Sequence, residues 1–279
     1  MNKRIGVVVN PRKPNARKWL AELRTWLEKR SVEVQDTLDS PIEDVMKEAS
    51  LLVSLGGDGT ILRLANHMRE RSIPVLAVNV GSLGFLADVK TDEMFDELQA
   101  YFLDQIKVEE RLMLACSVRN EKTRIERRFQ ALNDIVVSRE GLTRLLRVRV
   151  DISGETLTTF AGDGVIIATP TGSTAYSLSA GGAIVHPRLD ALIMTPICPH
   201  ALALRSIVVR VDERITIAVE CDREGERALL TADGQENVEV GEGTVIEVTR
   251  SMLPFRLIKS SRRSYIETLR ENFMLPSNQ

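Results

Sequence analysis

The sequence has little of several features that mark specialised protein classes. Only 4% of its 279 residues are aromatic, it holds three histidines and three cysteines, and its formal net charge is −2. The cysteines are far apart and form no C-x-x-C pair, so neither a disulfide framework nor a dedicated zinc site is indicated. The balanced charge lacks the concentrated positive field that a nucleic-acid binder or polybasic membrane binder needs.

Long hydrophobic runs are also missing. No stretch approaches the roughly 20 apolar residues of a membrane-spanning helix. The apolar run behind the basic start of the chain, Ile5 to Val9, is too short for the core of a signal peptide. We therefore expect a cytoplasmic protein with no nucleic-acid or membrane partner.

The first hundred residues alternate between strand and helix patterns. Continuous apolar runs at 5–9, 51–55 and 75–80 predict strands that are buried on both faces. Between them, apolar residues recur at helical spacing, as in 19–27. This alternation predicts an α/β N-terminal domain with a mostly parallel sheet, over residues 1–104.

The residue pattern changes after about residue 105. Short β-rich segments follow, and Asp233-Gly234 separates two of them in a typical hairpin pattern. We predict an all-β, sandwich-like C-terminal domain over 105–254. The tail, 255–279, has no clear β pattern and is expected to pack back on the first domain.

The sharpest local motif is G-G-D-G-T at 56–60, between a predicted strand and a predicted helix. Three glycines let the backbone turn tightly and let a ligand approach closely. The helix would direct unpaired N–H groups at this loop, and Asp58 would lie at the carboxyl end of a parallel strand, where open α/β sheets bind ligands. The alternative is a tight turn in which Asp58 only caps the helix.

Two further segments resemble ligand-binding loops. In 79–86, Gly81 and Gly84 free the backbone and Phe85 supplies an apolar wall, which we expect to line the same crevice as Asp58. The run T-P-T-G-S-T-A-Y-S-L-S-A-G-G at 169–182 is rich in hydroxyls that suit a polar ligand, and a helix N-terminus near Ser173 would face phosphate. The alternatives are a plain βα loop with Phe85 in the core and an ordinary Ser/Thr-rich loop.

In this order the motifs resemble the NAD kinase family. The match comprises 56–60, 79–86, Asn133-Asp134, Asp163-Gly164, 169–182 and Asp233-Gly234-Gln235. The G-G-D-G turn alone also resembles lipid kinases and phosphofructokinases, whereas its combination with the long hydroxyl-rich run is specific. The resemblance implies an α/β domain followed by an all-β domain, and phosphorylation of the 2′-hydroxyl of the adenosine ribose of NAD to give NADP.

The resemblance also implies roles for individual residues. Asp58 matches the proton acceptor, and Asn133 and Asp134 match the pair that holds the adenosine part of NAD. Motifs and resemblance together give the expected substrate-binding positions as Gly59, Phe85, Asn133, Asp134, Arg144, Asp163, Thr171, Ser173, Thr174, Ala175, Tyr176, Ser179 and Gln235.

The same resemblance implies NAD as acceptor, ATP or another phosphoryl donor as the second substrate, a divalent cation (Mg²⁺ or Mn²⁺) as cofactor, and a homo-oligomer, a dimer or tetramer. The sequence leaves two other functions open: a lipid or sugar kinase that shares the G-G-D-G turn, and a non-catalytic nucleotide sensor.

Overall fold

The structure is a computed structural model that describes residues 4–81, 83–120, 124–139, 145–220 and 227–274. The chain forms two compact units. Unit 1 consists of Met1–Glu110 together with Phe255–Gln279, and unit 2 consists of Arg111–Pro254. Each unit has its own cluster of buried apolar side chains.

The described ranges contain strands of two to eight residues. In chain order they are β1 (Arg4–Val9), β2 (Glu33–Asp36), β3 (Leu51–Gly56), β4 (Val75–Asn79), β5 (Val89–Lys90), β6 (Val108–Arg111), β7 (Leu114–Asn120), β8 (Ile125–Ala131), β9 (Asp134–Arg139), β10 (Leu146–Ile152), β11 (Glu155–Gly162), β12 (Gly164–Ala168), β13 (Ala191–Ile197), β14 (Ile207–Arg210), β15 (Ile215–Glu220), β16 (Arg227–Ala232), β17 (Glu236–Gly241), β18 (Thr244–Arg250) and β19 (Phe255–Ile258).

Helices lie between the strands, mostly in unit 1. They are α1 (Ala16–Glu28), α2 (Ile42–Lys47), α3 (Asp58–His67), α4 (Met94–Phe102), α5 (Tyr176–Ser179) and α6 (Tyr265–Phe273), and a short 3₁₀ turn at Gly172–Thr174 precedes α5. Across the described ranges, no helix combines the length and the apolar character needed to cross a membrane.

Unit 1 is built on one sheet with the strand order β2-β1-β3-β4-β19-β6, and β5 pairs with β4. The pairs among β1 to β5, and the pair of β4 with β19, are parallel. Every residue of β3 is buried, as expected for a strand in a sheet that is covered on both faces. Because β1, β3 and β4 are parallel neighbours, the loops that follow them emerge at one edge of the sheet.

Unit 2 is a sandwich of two six-stranded antiparallel sheets. Their orders are β11-β10-β15-β18-β7-β8 and β14-β13-β12-β9-β16-β17. Side chains of both sheets, such as Val148 and Ile246 of the first and Val137 and Ile167 of the second, share one core. The predicted fold class, an α/β domain with a mostly parallel sheet plus an all-β sandwich-like domain, is confirmed.

The tail differs from the expectation that it lacks clear strand character. Residues Phe255–Ile258 form β19, whose Leu257 and Ile258 pair in parallel with Val75 and Leu76 of β4. A strand of four residues gives too short a pattern to stand out, and its partner in β4 lies 182 residues away in sequence. The strand is recognisable only through its place in the sheet, between β4 and β6.

Candidate functional site

The G-G-D-G-T motif forms a sharp strand-to-helix turn in unit 1. Residue Gly56 ends β3, Gly57 is the N-cap in an extended conformation, and Asp58 is the first residue of α3. A Cβ on Gly56 would lie 2.1 Å from Oγ1 of Thr60, so only glycine fits there. The turn thus places Asp58 at the carboxyl edge of the sheet, as predicted.

The carboxylate of Asp58 is fixed by three successive backbone amides. Its Oδ2 accepts a hydrogen bond from the N–H of Phe85 at 2.9 Å, and its Oδ1 accepts from Leu86 at 3.2 Å and Ala87 at 2.9 Å. A carboxylate has about four acceptor positions, so one position, on Oδ2, stays available as far as the described residues show. The half-buried carboxylate is therefore oriented by the fold and can still accept one hydroxyl proton.

The segment 79–87 that supplies these amides is itself internally braced. The buried side chain of Asn79 donates to the carbonyl of Ala87 at 3.0 Å and accepts from the N–H of Gly81 at 2.6 Å. A Cβ on Gly84 would lie 2.1 Å from Oδ1 of Asp58, which makes glycine necessary at that position. The expected proximity of this loop to Asp58 is thus a direct contact.

The Asn133-Asp134 pair in unit 2 is held in a similar way, by another aspartate. The carboxylate of Asp233 accepts hydrogen bonds from the N–H groups of Leu132, Asn133 and Asp134, at 2.8, 2.7 and 3.1 Å. Asp233 has a positive φ of 51° in the turn between β16 and β17. The sequence indicated only a hairpin turn here and gave no sign that its aspartate anchors another loop.

The two aspartates, Asp134 and Asp233, are both buried, and the charge of Asp233 acts on Asp134. Burial and the neighbouring charge of Asp233 raise the pKa of Asp134 to about 7. Burial raises the pKa of Asp233 to about 6, against the opposing effect of its three N–H donors. Asp134 receives no such donors within the described residues, which agrees with its pKa being the more strongly raised of the two.

The hydroxyl-rich run begins directly against Asn133. Its Thr169 donates through Oγ1 to the carbonyl of Leu132 at 2.6 Å, and its backbone N–H donates to the carbonyl of Asn133 at 2.8 Å. A Cβ on Gly172 would lie 2.1 Å from that same carbonyl oxygen of Asn133. The structure therefore brings together three motifs that are far apart in sequence: 132–134, 169–172 and 233–235.

The side chains of this run divide into buried and accessible groups. Ser173 is completely buried, and its Oγ donates to Pro170 and accepts from the N–H of Val185, so this placement gives no support to direct substrate contact by Ser173. Thr171 is buried, and its Oγ1 has no hydrogen-bond partner within the described residues. The accessible members are Thr174, Ala175, Tyr176 and Ser179.

The helix expected near Ser173 is present only as short helical turns. The run continues as the three-residue 3₁₀ turn and the four-residue α5. Helices this short align too few peptide dipoles to bind an anion at their N-terminus. Hydroxyl density predicts a loop correctly, but it does not distinguish hydroxyls that face a ligand from hydroxyls that close a turn.

The remaining expected positions are Asp163, Gln235 and Arg144. Asp163 precedes β12. Because Ala168, at the other end of β12, pairs with Asp134, Asp163 lies roughly 15–20 Å from Asp134 at the usual rise per residue. It forms an ion pair there with Arg139, at 2.8 Å. Gln235 is exposed beside Asp233, and Arg144 lies outside the described residues.

Comparison with known proteins identifies related sequences for both units. Residues 33–106 match the model of the ATP-NAD kinase N-terminal domain, and residues 132–260 match that of the ATP-NAD kinase C-terminal domain. An NAD kinase of Moorella thermoacetica is 39% identical over 278 residues, which cover 96% of this chain and 88% of that protein. The chain belongs to the NAD kinase family. A family member from Geotalea daltonii is 44% identical over 228 residues, 82% of this chain and 79% of that protein.

Solved structures of NAD kinase family members have the same fold. Yeast NADH kinase, in complex with NADH, superposes with a TM-score of 0.92 at 28% identity, covering 99% of this chain and 89% of that one. The NAD kinase of Archaeoglobus fulgidus, in complex with ATP, gives a TM-score of 0.79 at 28% identity, with 97% of both chains covered.

The family resemblance also implied a divalent cation. In the described ranges, no three His, Cys, Asp or Glu side chains lie close enough together to hold a metal ion. The carboxylate of Asp58 has a single free acceptor position. These residues do not by themselves form a metal-binding site.

Proposed function

We propose that this chain transfers a phosphoryl group from ATP to the 2′-hydroxyl of the adenosine ribose of NAD, giving NADP and ADP. Membership in the NAD kinase family supports NAD as the acceptor over a lipid or a sugar. The observation that carries the chemical role is the fixed carboxylate of Asp58, with one acceptor position left on Oδ2.

In this proposal Asp58 accepts the proton of the attacking hydroxyl. The three amides hold the carboxylate before substrate arrives, so its orientation costs no further entropy in the transition state. Carboxylates are weak bases at neutral pH, and phosphoryl transfer passes through a loose transition state in which the hydroxyl proton leaves late. We therefore assign Asp58 mainly an orienting role with general-base assistance on the order of 10²–10⁴-fold.

The phosphates of the donor carry negative charge that must be balanced. The helix α3 begins at Asp58, and its first backbone hydrogen bonds run from Thr60 and Ile61 to the carbonyl of Gly57, so the N–H groups of Asp58 and Gly59 precede the hydrogen-bonded turns. A helix N-terminus of this kind favours bound phosphate. A divalent cation would supply additional positive charge to the donor phosphates, and we expect it to arrive bound to them, because the described residues offer no ready-made site.

The adenosine part of NAD is assigned to Asn133 and Asp134. A side-chain amide can pair with an adenine edge, since it offers both a donor and an acceptor. A protonated Asp134 can donate one hydrogen bond and accept others, which suits the ribose hydroxyls. The accessible positions Thr174, Tyr176 and Ser179 of the adjacent run are further nucleotide contacts, and Asp163 and Arg144 remain predicted contributors.

A direct assay tests the proposal. The protein is incubated with NAD, ATP and Mg²⁺, and NADP is measured with an NADP-specific dehydrogenase. NADP formation is expected, at a rate that depends on the cation. ADP formation with a lipid or a sugar but not with NAD would instead favour the kinase alternative, and NAD binding without any ADP formation would favour a sensor. Size-exclusion chromatography tests the proposed dimer or tetramer.

A further inference from the structure

The C-terminal arm, residues 259–273, contacts the loop that holds Asp58 at two separate points. This arm follows β19 and ends with α6, which begins with a capping box between Ser264 and Glu267. One contact is an ion cluster around Asp88, the residue after Ala87. The other is an aromatic contact to Phe85. Phe85 supplies the first of the three amides that bind the carboxylate, and Asp88 directly follows the last.

The ion cluster lies almost entirely out of water. The Nζ of Lys259 lies 3.0 Å from Oδ2 of Asp88, and the two side chains are 10% and 0% exposed. The Oδ1 of Asp88 accepts from the N–H of Ser260 at 3.2 Å. Next to them Arg263 contacts both carboxylate oxygens of Glu93, at 2.5 and 2.7 Å. Buried charges keep such positions only when partners stay in place, so this cluster fixes Asp88 firmly relative to the arm.

The aromatic contact holds the other end of the loop. The ring of Phe273, the last residue of α6, packs against Phe85 with ring centroids 5.4 Å apart and an interplanar angle of 46°. Both rings are half-buried. The backbone N–H of this same Phe85 donates to Oδ2 of Asp58, the oxygen that keeps a free acceptor position. The ring contact therefore acts on the amide nearest to the reactive oxygen.

We infer that the C-terminal arm is a positioning element for Asp58, with Lys259 and Phe273 as the positioning residues. This inference rests on the proposed function for the reactive role of Asp58. Neither residue needs to touch substrate. They hold Phe85 and Asp88, the amides between these two residues hold the carboxylate, and the carboxylate orients the hydroxyl. Loss of either contact should loosen the amides without removing any group that binds NAD.

The first test compares Phe273→Ala with Met274→Ala in the full-length protein. Met274 is the next residue and its side chain is 91% exposed, so its truncation is the matched control. Hydrogen exchange of the amides of residues 85–87 should become about five- to tenfold faster in Phe273→Ala, the factor that corresponds to one ordinary aromatic pair. The kcat should fall by a similar factor while KM for NAD stays within about twofold, the pattern of a lost transition-state interaction. Met274→Ala should match the wild type in both measurements.

Two results would overturn the inference. One is unchanged exchange at 85–87 in Phe273→Ala. The other is faster exchange with an unchanged kcat, because the arm would then hold the loop without affecting the reaction. Failure of the proposed function is distinguishable, since it appears as absence of NADP in the wild type before any variant is made. The exchange measurement needs no activity and still reports on the arm.

A second pair of variants tests the ion cluster. Lys259→Arg keeps the positive charge, and we expect exchange at 85–87 to stay close to the wild type. Lys259→Met leaves Asp88 as a buried carboxylate without its cation, so exchange at 85–87 should rise more than in the arginine variant. Equal exchange in two folded variants would contradict a role for this charge. If Lys259→Met does not fold, the Phe273 comparison decides.

Discussion

The substitution Asp58→Asn separates the two roles that the structure gives to this side chain. The amide keeps one oxygen, which can still accept from Leu86 and Ala87. Its NH₂ group then faces the N–H of Phe85, so a donor meets a donor where Oδ2 accepts at 2.9 Å in the native protein. The substitution therefore removes one charge-assisted hydrogen bond and leaves one backbone donor unpaired, in addition to removing the base.

The magnitude follows from these losses. A hydrogen bond to a charged group contributes about 1.5–3 kcal/mol, and an unsatisfied donor costs about 1–3 kcal/mol when fully buried. Because Asp58 is only half-buried, water can reach part of the site, so we expect a loss of about 2 kcal/mol in unfolding free energy. That corresponds to a fall in Tm of roughly 4–8 °C for a protein of this size. The kcat should fall by about 10²–10⁴-fold from loss of the base.

A matched control is available in the same unit. Asp44 is an exposed aspartate in the first turn of α2, as Asp58 is in the first turn of α3. Asp44→Asn therefore accounts for the favourable effect of a negative charge near a helix N-terminus, which is about 0.3–1 kcal/mol. Thermal unfolding and steady-state NADP formation are measured for both variants. A Tm of Asp58→Asn equal to that of Asp44→Asn would refute the structural role of the carboxylate, and a near-normal kcat would refute its role as proton acceptor.

Three other predictions concern the supports of the site. Gly84→Ala puts a Cβ 2.1 Å from Oδ1 of Asp58, so steady-state kinetics should show at least a tenfold lower kcat. Gly172→Ala puts a Cβ 2.1 Å from the carbonyl of Asn133, and isothermal titration should show weaker NAD binding. The raised pKa of Asp134, about 7, means that the folded state binds its proton more tightly than the unfolded state. Its contribution to the free energy of unfolding is complete below the unfolded pKa of about 4 and is lost as pH rises toward 7. Urea unfolding should therefore give a lower free energy of unfolding at pH 7.5 than at pH 5. In Asp134→Asn this difference between the two pH values should be smaller.

Much of the fold can be predicted from local patterns, and the exceptions have a common cause. The apolar runs at 51–55 and 75–80 are long enough to indicate β3 and β4, because a buried parallel strand requires an unbroken series of such residues. The four residues of β19 include Arg256, and their strand character is seen only in their pairing with β4 and their place beside β6 in the sheet. Segments whose structure depends on a distant partner leave little trace in their own composition.

The residues of the candidate site divide in the same way, into those that a local sequence pattern indicates and those that it does not. Asp58 and the loop around Phe85 are indicated by glycines at the ends of two neighbouring strands. The role of Asp233 is not indicated, because its pattern is that of any hairpin turn, whereas its three hydrogen bonds reach residues about 100 positions away. Ser173 illustrates the converse: its hydroxyl belongs to a ligand-like pattern, and in the structure it closes a turn inside the protein.

The amides at 85–87 and at 132–134 form two concave receptors with the same design. Successive N–H groups that converge on one point suit the oxygens of phosphate as well as those of a carboxylate. In this chain each receptor is already filled from within, by Asp58 in one case and by Asp233 in the other. Neither can capture a phosphate of a substrate. Recognition of a highly charged dinucleotide would then depend less on empty anion-binding loops. It would depend more on loops whose conformation is already fixed by the carboxylates of the protein itself.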